Sequence, residues 1–430
     1  MQEPFIPKNE LQTRLQKLER LLSKNSALLL LSNPKIYRSS DIEFPFRQDS
    51  NLWYFTAINE PNSAFLAVKN KDGKFSSYLF ISKIDSKQAI WTGEGLDLDL
   101  AREISGADLV LDFNQLLTRI EKIIPKNSTL YLNQDNLNQK ILTAEIKQKL
   151  LIQKKLKIEN SAVIVKNLRM FKSSWELEQM QKAIQISTTA HEAIAKKLNV
   201  DFKAKKELNE FQIEAEILLN FQTAGANWAY FPIVAGGANA TVLHYTKNNS
   251  LLKKGEMLLI DAGCEYNYYA SDLTRVYPLG TKFNSQQKEI YELVLKANQK
   301  VIKTLQNSKT GTLTIKDLDQ ISMEVLVDGM IDLGIFKQKK DEILAKELFK
   351  KYYPHGVGHF LGLDTHDIAE TLDYKDRFLE PGMVITVEPG LYFAQTEENF
   401  NQYQNIGIRI EDNILITENG AKNLSFSLKK

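Results

Sequence analysis

Asp261, Asp272, Glu388 and Glu411 are carboxylates placed where the flanking sequence calls for burial. Asp261 closes the apolar run MLLI, and Asp272 lies in the next strand-like segment, YASDLTRVYPL. The turn between them centres near Tyr266 and Asn267, so a tight hairpin would set the two acids opposite each other. Directly opposed side chains have Cβ atoms about 4.5–5.5 Å apart, and like charges there repel. Two buried carboxylates at that distance need a shared proton or a cation. The plain alternative puts Asp272 in a solvated turn and Asp261 at a strand end. Glu388 closes the apolar strand in MVITVEPGLY. In NIGIRIEDNILIT, Ile406, Ile408 and Ile410 point one way and Gly407, Arg409, Glu411 and Asn413 the other. Apolar flanks favour a polar site on that second face, although a solvated strand would alternate in the same way.

The histidines cluster with these acids. Of five in the chain, His244, His355, His359 and His366 lie in the second half, while His191 falls inside a helical segment as a packing or surface residue. His355 and His359 have the i, i+4 spacing of a metal-binding helix, but the intervening glutamate of H-E-x-x-H is absent. Gly356 and Gly358 disfavour helix and fit backbone packed closely around a site. An oxygen-rich ligand set with one nitrogen favours harder ions such as Mn²⁺ over tetrahedral zinc.

The elements that position these residues divide into two groups. A chain of 430 residues is too long for one ordinary core. Residues 10–24 show helical spacing of Leu11, Leu15, Leu18 and Leu22, and strand signals follow at ALLLLS, WYFTAI, AFLAVKN, SSYLFIS and TLYLNQ. This alternation predicts an α/β N-terminal domain over 1–170. A long helix opens near Ser173 or Ser174, with Glu176 in its first turn, and starts an α+β domain over 171–430. There, helices near 175–198 and 209–224 precede strands, a helix-rich stretch covers 285–350, and strands return at MVITVEP, IGIRIED and NILIT, a hint of internal duplication. The chain is 43% hydrophobic and 25% charged with net charge +2, which gives no reason to expect a nucleic-acid or membrane partner. With a single cysteine, Cys264, no secretory signal pattern and no apolar run able to span a bilayer, a cytoplasmic protein is expected.

The ordered set Asp261, Asp272, His359, Glu388 and Glu411 resembles the five-ligand signature of the pita-bread metallopeptidases, which include methionine aminopeptidase, prolidase and aminopeptidase P. The likeness is greatest to bacterial-type aminopeptidase P (Xaa-Pro aminopeptidase). It runs through YRSSDIEFPFRQDSNLWYFT, IVAGGANATVLHY, LLIDAGCEY, HGVGHFLGLDTHD, LEPGMVITVEPGLY and IGIRIED. It implies a creatinase-like N-terminal α/β domain before a pita-bread catalytic domain. It also implies two divalent metal ions, Mn²⁺ foremost, that share a bridging hydroxide, with Asp261 on one ion, Asp272 and Glu411 bridging, and His359 and Glu388 on the other.

By the same resemblance Glu388 is the catalytic base, and His244 and His366 contact substrate and stabilise the tetrahedral intermediate. His355, Tyr392, Arg409 and Trp91 are expected at the substrate site, His355 in the proline pocket, Arg409 as an orienting group and Trp91 from a neighbouring subunit. The implied activity removes the N-terminal residue from Xaa-Pro peptides in a homodimer or homotetramer. Prolidase shares fold and ligands and is the alternative. Methionine aminopeptidase would not need the first domain, creatinase lacks the ligands, and a metal-free binding module should have lost them. Two departures stand out: Thr371 where relatives carry tyrosine, and FKSSWELEQ, which lacks the usual proline.

Overall fold

The apolar run Ser26–Leu31 forms β1, buried along its whole length at the centre of a six-stranded sheet. The computed structural model describes residues 5–83, 86–134, 136–204, 207–367, 374–395 and 402–430, and Thr371 lies outside them. The chain divides into two units, Glu3–Arg169 and Met170–Lys430. In the first, β2 (Ser63–Lys69), β3 (Phe75–Ile81), β4 (Leu109–Asp112), β5 (Thr129–Leu132) and β6 (Lys157–Asn160) join β1 in the order β4-β3-β2-β1-β5-β6. β2 runs antiparallel to β1 and β3, while the pairs β1–β5, β5–β6 and β3–β4 are parallel, so the α/β unit carries a mixed sheet.

Helix α1 (Lys8–Leu21) buries Leu11 and Leu18, as its spacing predicts. Leu15 is only half-buried, and Arg14 takes the inward place, with its guanidinium 4.0 Å above the Tyr54 ring and donating to Tyr54 O at 2.9 Å. The aromatic WYFTAI, expected as a strand, is instead part of helix α2 (Ser50–Thr56). Its ends explain the difference. The Asp49 carboxylate accepts the N–H groups of Asn51 and Leu52, and Ala57 closes the helix in the left-handed region. Capping and burial on all sides outweigh the strand preference of aromatic residues. A short helix, α3 (Ser86–Thr92), carries Trp91, which is 87% exposed.

The second unit opens with α4 (Ser174–Lys203), where the Ser173 hydroxyl accepts from Glu176 N–H and Ser173 N–H donates to Glu176 Oε2, a reciprocal cap. After α5 (Glu210–Thr223) come β7 (Asn227–Trp228), β8 (Ile233–Gly236), β9 (Met257–Asp261), β10 (Cys264–Tyr266), β11 (Tyr269–Ala270) and β12 (Thr274–Pro278). Strands β8-β9-β12 form one antiparallel sheet, whose Val234, Leu258 and Ile260 pack on Ile194, Ile213 and Phe221 of α4 and α5. Helices α6 (Ser285–Asn307) and α7 (Ile315–Asp332) follow, then β13 (Val384–Val387), β14 (Gly390–Phe393), β15 (Ile406–Arg409), β16 (Asp412–Thr417) and β17 (Gly420–Asn423). The sheet β13-β16-β17 packs Ile385, Val387 and Ile414 on Val301, Leu305 and Leu318 of α6 and α7. A helix pair on a three-stranded sheet thus occurs twice, the repeat hinted at by the sequence.

Cys264 is buried beside Ala183 O, 3.2 Å from its Sγ, and desolvation pushes its thiol up to about 12. Among the described residues no helix is long and apolar enough to cross a membrane.

Candidate metal centre

The hairpin bearing the first two acids turns one residue later than expected. Asn267 and Tyr268 both have positive φ, and Tyr266 pairs with Tyr269, a two-residue turn of the kind that matches strand twist. The register therefore sets Asp261 opposite Thr274, not opposite Asp272. Asp272 lies diagonally, two residues along the same face. Tyr230, from the loop after β7, closes the gap: its hydroxyl is 2.6 Å from Asp261 Oδ1 and 2.6 Å from Asp272 Oδ1. One hydroxyl has one proton to give, so the second short contact leaves two acceptors face to face unless a proton or a cation intervenes. Asn413 fixes the Asp272 backbone, accepting its N–H and donating to its carbonyl.

Glu411 is 1% exposed, with its Oε2 accepting from the Thr274 hydroxyl at 2.7 Å and its N–H donating to Thr274 O. Glu388 follows β13, its N–H bound to Val357 O at 2.7 Å, and its Oε1 is 3.3 Å from His359 Nε2. Burial, then repulsion from neighbouring carboxylates, holds Asp272 and Glu411 well above the usual carboxylate range.

His359 lies in irregular backbone, as its glycine neighbours predict. A Cβ on Gly358 would sit 2.1 Å from Thr386 O, so only glycine lets this segment reach β13. The Nδ1 of His359 is 3.0 Å from Phe360 O, and a carbonyl can only accept, so the proton is on Nδ1. Its Nε2 faces Glu388 Oε1 and Asp272 Oδ2, at 3.3 and 3.5 Å. Ligand atoms of Asp272, His359 and Glu411 all lie within 4.8 Å of one another. Lone pairs and carboxylate oxygens converging in a buried space fit hard divalent cations, which remove the repulsion among them.

Behind the acids runs a directional relay. Arg409, 4% exposed, donates through Nη2 to Asp261 Oδ2 at 2.6 Å, through Nη1 to Tyr392 Oη at 2.8 Å and through Nε to the Thr274 hydroxyl at 3.2 Å. Tyr392 Oη passes the chain to His355 Nε2 at 2.8 Å, and His355 Nδ1 donates to Gly356 O at 2.7 Å. Arg409 thus braces the acids from the same strand face as Glu411. A Cβ on Gly407, two residues before Arg409, would meet Ala240 O at 2.0 Å, so β15 lies directly against the backbone that leads to His244. His366 packs edge-on against His359, 4.4 Å between ring centres. Partial desolvation, then His359, push the His366 pKa down, with a further push from His244.

Of the residues singled out by sequence, the four acids and His359 converge with Arg409, Tyr392, His355 and His366. Trp91 belongs to the other unit. His191 is a packing residue, 1% exposed, with Nε2 3.2 Å from Ala262 O and Nδ1 3.1 Å from the Tyr277 hydroxyl. Sequence reasoning put Asn413 on the site face without a role and missed Tyr230 and Thr274. Thr274 was detectable, since it shares a face with Asp272. Tyr230 sits in a loop with no periodicity to flag it.

Residues 178–418 match metallopeptidase family M24, and residues 11–131 match the aminopeptidase P N-terminal domain. The chain is 35% identical to the Xaa-Pro aminopeptidase of Escherichia coli over 99% of its own length and 96% of that protein's. The corresponding figures for the Xaa-Pro aminopeptidase of Haemophilus influenzae are 36%, 99% and 96%. Among solved structures, zinc-substituted E. coli aminopeptidase P in complex with product superposes with TM-score 0.89 at 35% identity, covering 99% of this chain and 96% of that one. Proline aminopeptidase P II from Yersinia pestis gives 0.89 at 34%, covering 99% and 97%. Likeness of this extent runs through both units, and the chain belongs to the aminopeptidase P branch of metallopeptidase family M24.

Proposed function

We propose that this chain is a dinuclear-metal aminopeptidase that removes the N-terminal residue from peptides with proline in second position. The observation that carries the reading is the gathering of Asp272, Glu388 and Glu411 around His359, with Asp261 joined to Asp272 through the Tyr230 hydroxyl. Four carboxylates balance the charge of two divalent cations, and the oxygen-rich set favours Mn²⁺. In this assignment Asp261, Asp272, His359, Glu388 and Glu411 would hold the ions. When bound, such ions supply Lewis-acid polarisation of the scissile carbonyl and of the attacking water.

The side chains supply the rest. Glu388 takes the proton of the attacking water and delivers it to the leaving imino nitrogen. His366, kept neutral, has an N–H to offer the oxyanion, with His244 beside it. His355 and Tyr392 form the wall for the proline ring, and Arg409 holds Asp261 and Tyr392 in register. The catalytic domain is assigned to 171–430 and the creatinase-like domain to 1–170. Exposed Trp91 is assigned to a neighbouring subunit's cleft in a homo-oligomer, and one buried cysteine fits the reducing cytoplasm. Prolidase is not favoured, because the full-length relatives above are named Xaa-Pro aminopeptidases.

The test is hydrolysis of Xaa-Pro-Yaa tripeptides, Xaa-Pro dipeptides and Met-Ala-Ser by metal-stripped protein, with and without Mn²⁺. Mn²⁺-dependent release of the first residue, with the tripeptide far preferred, is the expected result. A dipeptide preference would make the enzyme a prolidase, and absence of both metal binding and turnover would sink the reading.

A further inference from the structure

Glu388 and Glu411 leave their strands at a break in strand pairing. The ladder of β13 with β16 is regular to Val387↔Asp412, and the ladder of β14 with β15 starts at Gly390↔Arg409. Between them Ile410 N–H reaches Pro389 O at 3.3 Å. An antiparallel pair would return a second bond from residue 389 to Ile410 O, but proline has no N–H to give. That orphaned carbonyl is buried, one residue before Glu411.

Asn298 of α6 fills the missing rung. It is fully buried, and its Nδ2 lies 3.1 Å from Ile410 O, 3.1 Å from Val387 O and 3.2 Å from Asp412 Oδ2. The two carbonyls belong to the residues immediately before Glu411 and Glu388. The amide's orientation is set from the other side. Lys430 Nζ, which can only donate, is 2.6 Å from Asn298 Oδ1 and 2.5 Å from Asp412 Oδ2. Arg275 closes the knot, donating through Nη2 to Asp412 Oδ1 and Leu428 O and through Nη1 to Glu411 O.

We propose that Asn298 is a positioning residue for the metal centre: its amide replaces the N–H that Pro389 lacks and fixes the spacing at which Glu388 and Glu411 leave their strands, with Lys430 holding the amide in its working orientation. The inference rests on the dinuclear reading of the site. A liganding pair whose backbone spacing drifts still folds, but it grips cations less well.

The experiment is Mn²⁺ titration calorimetry, with kcat and KM on an Xaa-Pro-Yaa tripeptide, for wild type, Asn298→Leu, Pro389→Ala and the double variant. Asn298→Leu should lower Mn²⁺ affinity and kcat by about 10–100-fold, with KM changed less than about threefold. Pro389→Ala restores a backbone donor at the break, so the double variant should recover most of the loss, which a mere packing role for Asn298 would not produce. Affinity and kcat of Asn298→Leu within about twofold of wild type, whatever its melting temperature, would overturn the proposal, as would a double variant no better than the single one. If Asn298→Leu does not fold, Lys430→Gln carries the test: affinity lowered about threefold or more supports the proposal, and unchanged affinity overturns it. Wild type that binds no Mn²⁺ overturns the metal reading together with this inference, whereas normal wild-type binding with an unchanged variant overturns this inference alone.

Discussion

Asp261 and Asp272 belong to one hairpin, whereas Glu388 and Glu411 come from strands joined through a longer excursion, and the two pairs are braced differently. The first pair is tied at its side-chain ends, by the Tyr230 hydroxyl between the two carboxylates. The second is tied at its backbone, by the Asn298 amide on the carbonyls before each glutamate. Each sheet also has a buried helical side chain reaching a carbonyl beside an acid. On the first it is His191 on Ala262 O, and on the second it is Asn298. The hairpin sets its two acids on one face with Tyr230 between them, so what remains to manage there is charge. The second pair depends on a helix packed behind it, so what remains to manage there is distance.

The sharpest way to break this picture is at Glu388, proposed above as both ligand and base. Glu388→Ala should reduce kcat by about 10³-fold or more while circular dichroism stays native, and appreciable residual turnover would remove it from the mechanism. Asp272→Asn tests the charge side. It should weaken Mn²⁺ binding by about 100-fold, yet metal-stripped variant should melt above metal-stripped wild type, by roughly 2–4 °C for each kcal/mol of repulsion relieved. A lower melting point would mean that the paired acids do not repel in the folded protein. Tyr230→Phe should cost about tenfold in Mn²⁺ affinity at one of two binding steps and spare the other, as read by calorimetry. Equal weakening of both steps would erase the distinction between the halves.

The effect smallest near neutral pH belongs to His191, whose pKa burial lowers to about 4. The unfolded chain then holds more protons than the folded one below the ordinary histidine pKa of about 6.5. Stability is therefore lost as pH falls from about 6.5 toward 4 and levels off below that, with less than about 1 kcal/mol of the loss between pH 7 and 6. Urea titrations of wild type and His191→Gln should diverge in that window, and parallel pH profiles would refute the assignment.

The acids were legible because each interrupts or ends an apolar run, and apolar runs fix register. The alternation of Ile406, Ile408 and Ile410 with Arg409 and Glu411 appears in the fold as read, with the isoleucines in the core. The hairpin register was misjudged because left-handed backbone at Tyr268 is uncommon for an aromatic residue, and nothing local announces it. WYFT was misjudged because Asp49 caps from outside the aromatic run. Tyr230 and Asn298 were invisible for a different reason. Their partners are distant in sequence, and a loop tyrosine or a mid-helix asparagine reads as ordinary until the partner strands are in place.

The lone cysteine has a practical consequence. Cys264 is buried and its thiol resists ionisation, so alkylating reagents at neutral pH meet almost no thiolate. The native chain is thus already a quiet background for site-specific labelling. A single cysteine introduced on the surface would carry a spin label or fluorophore without first removing Cys264.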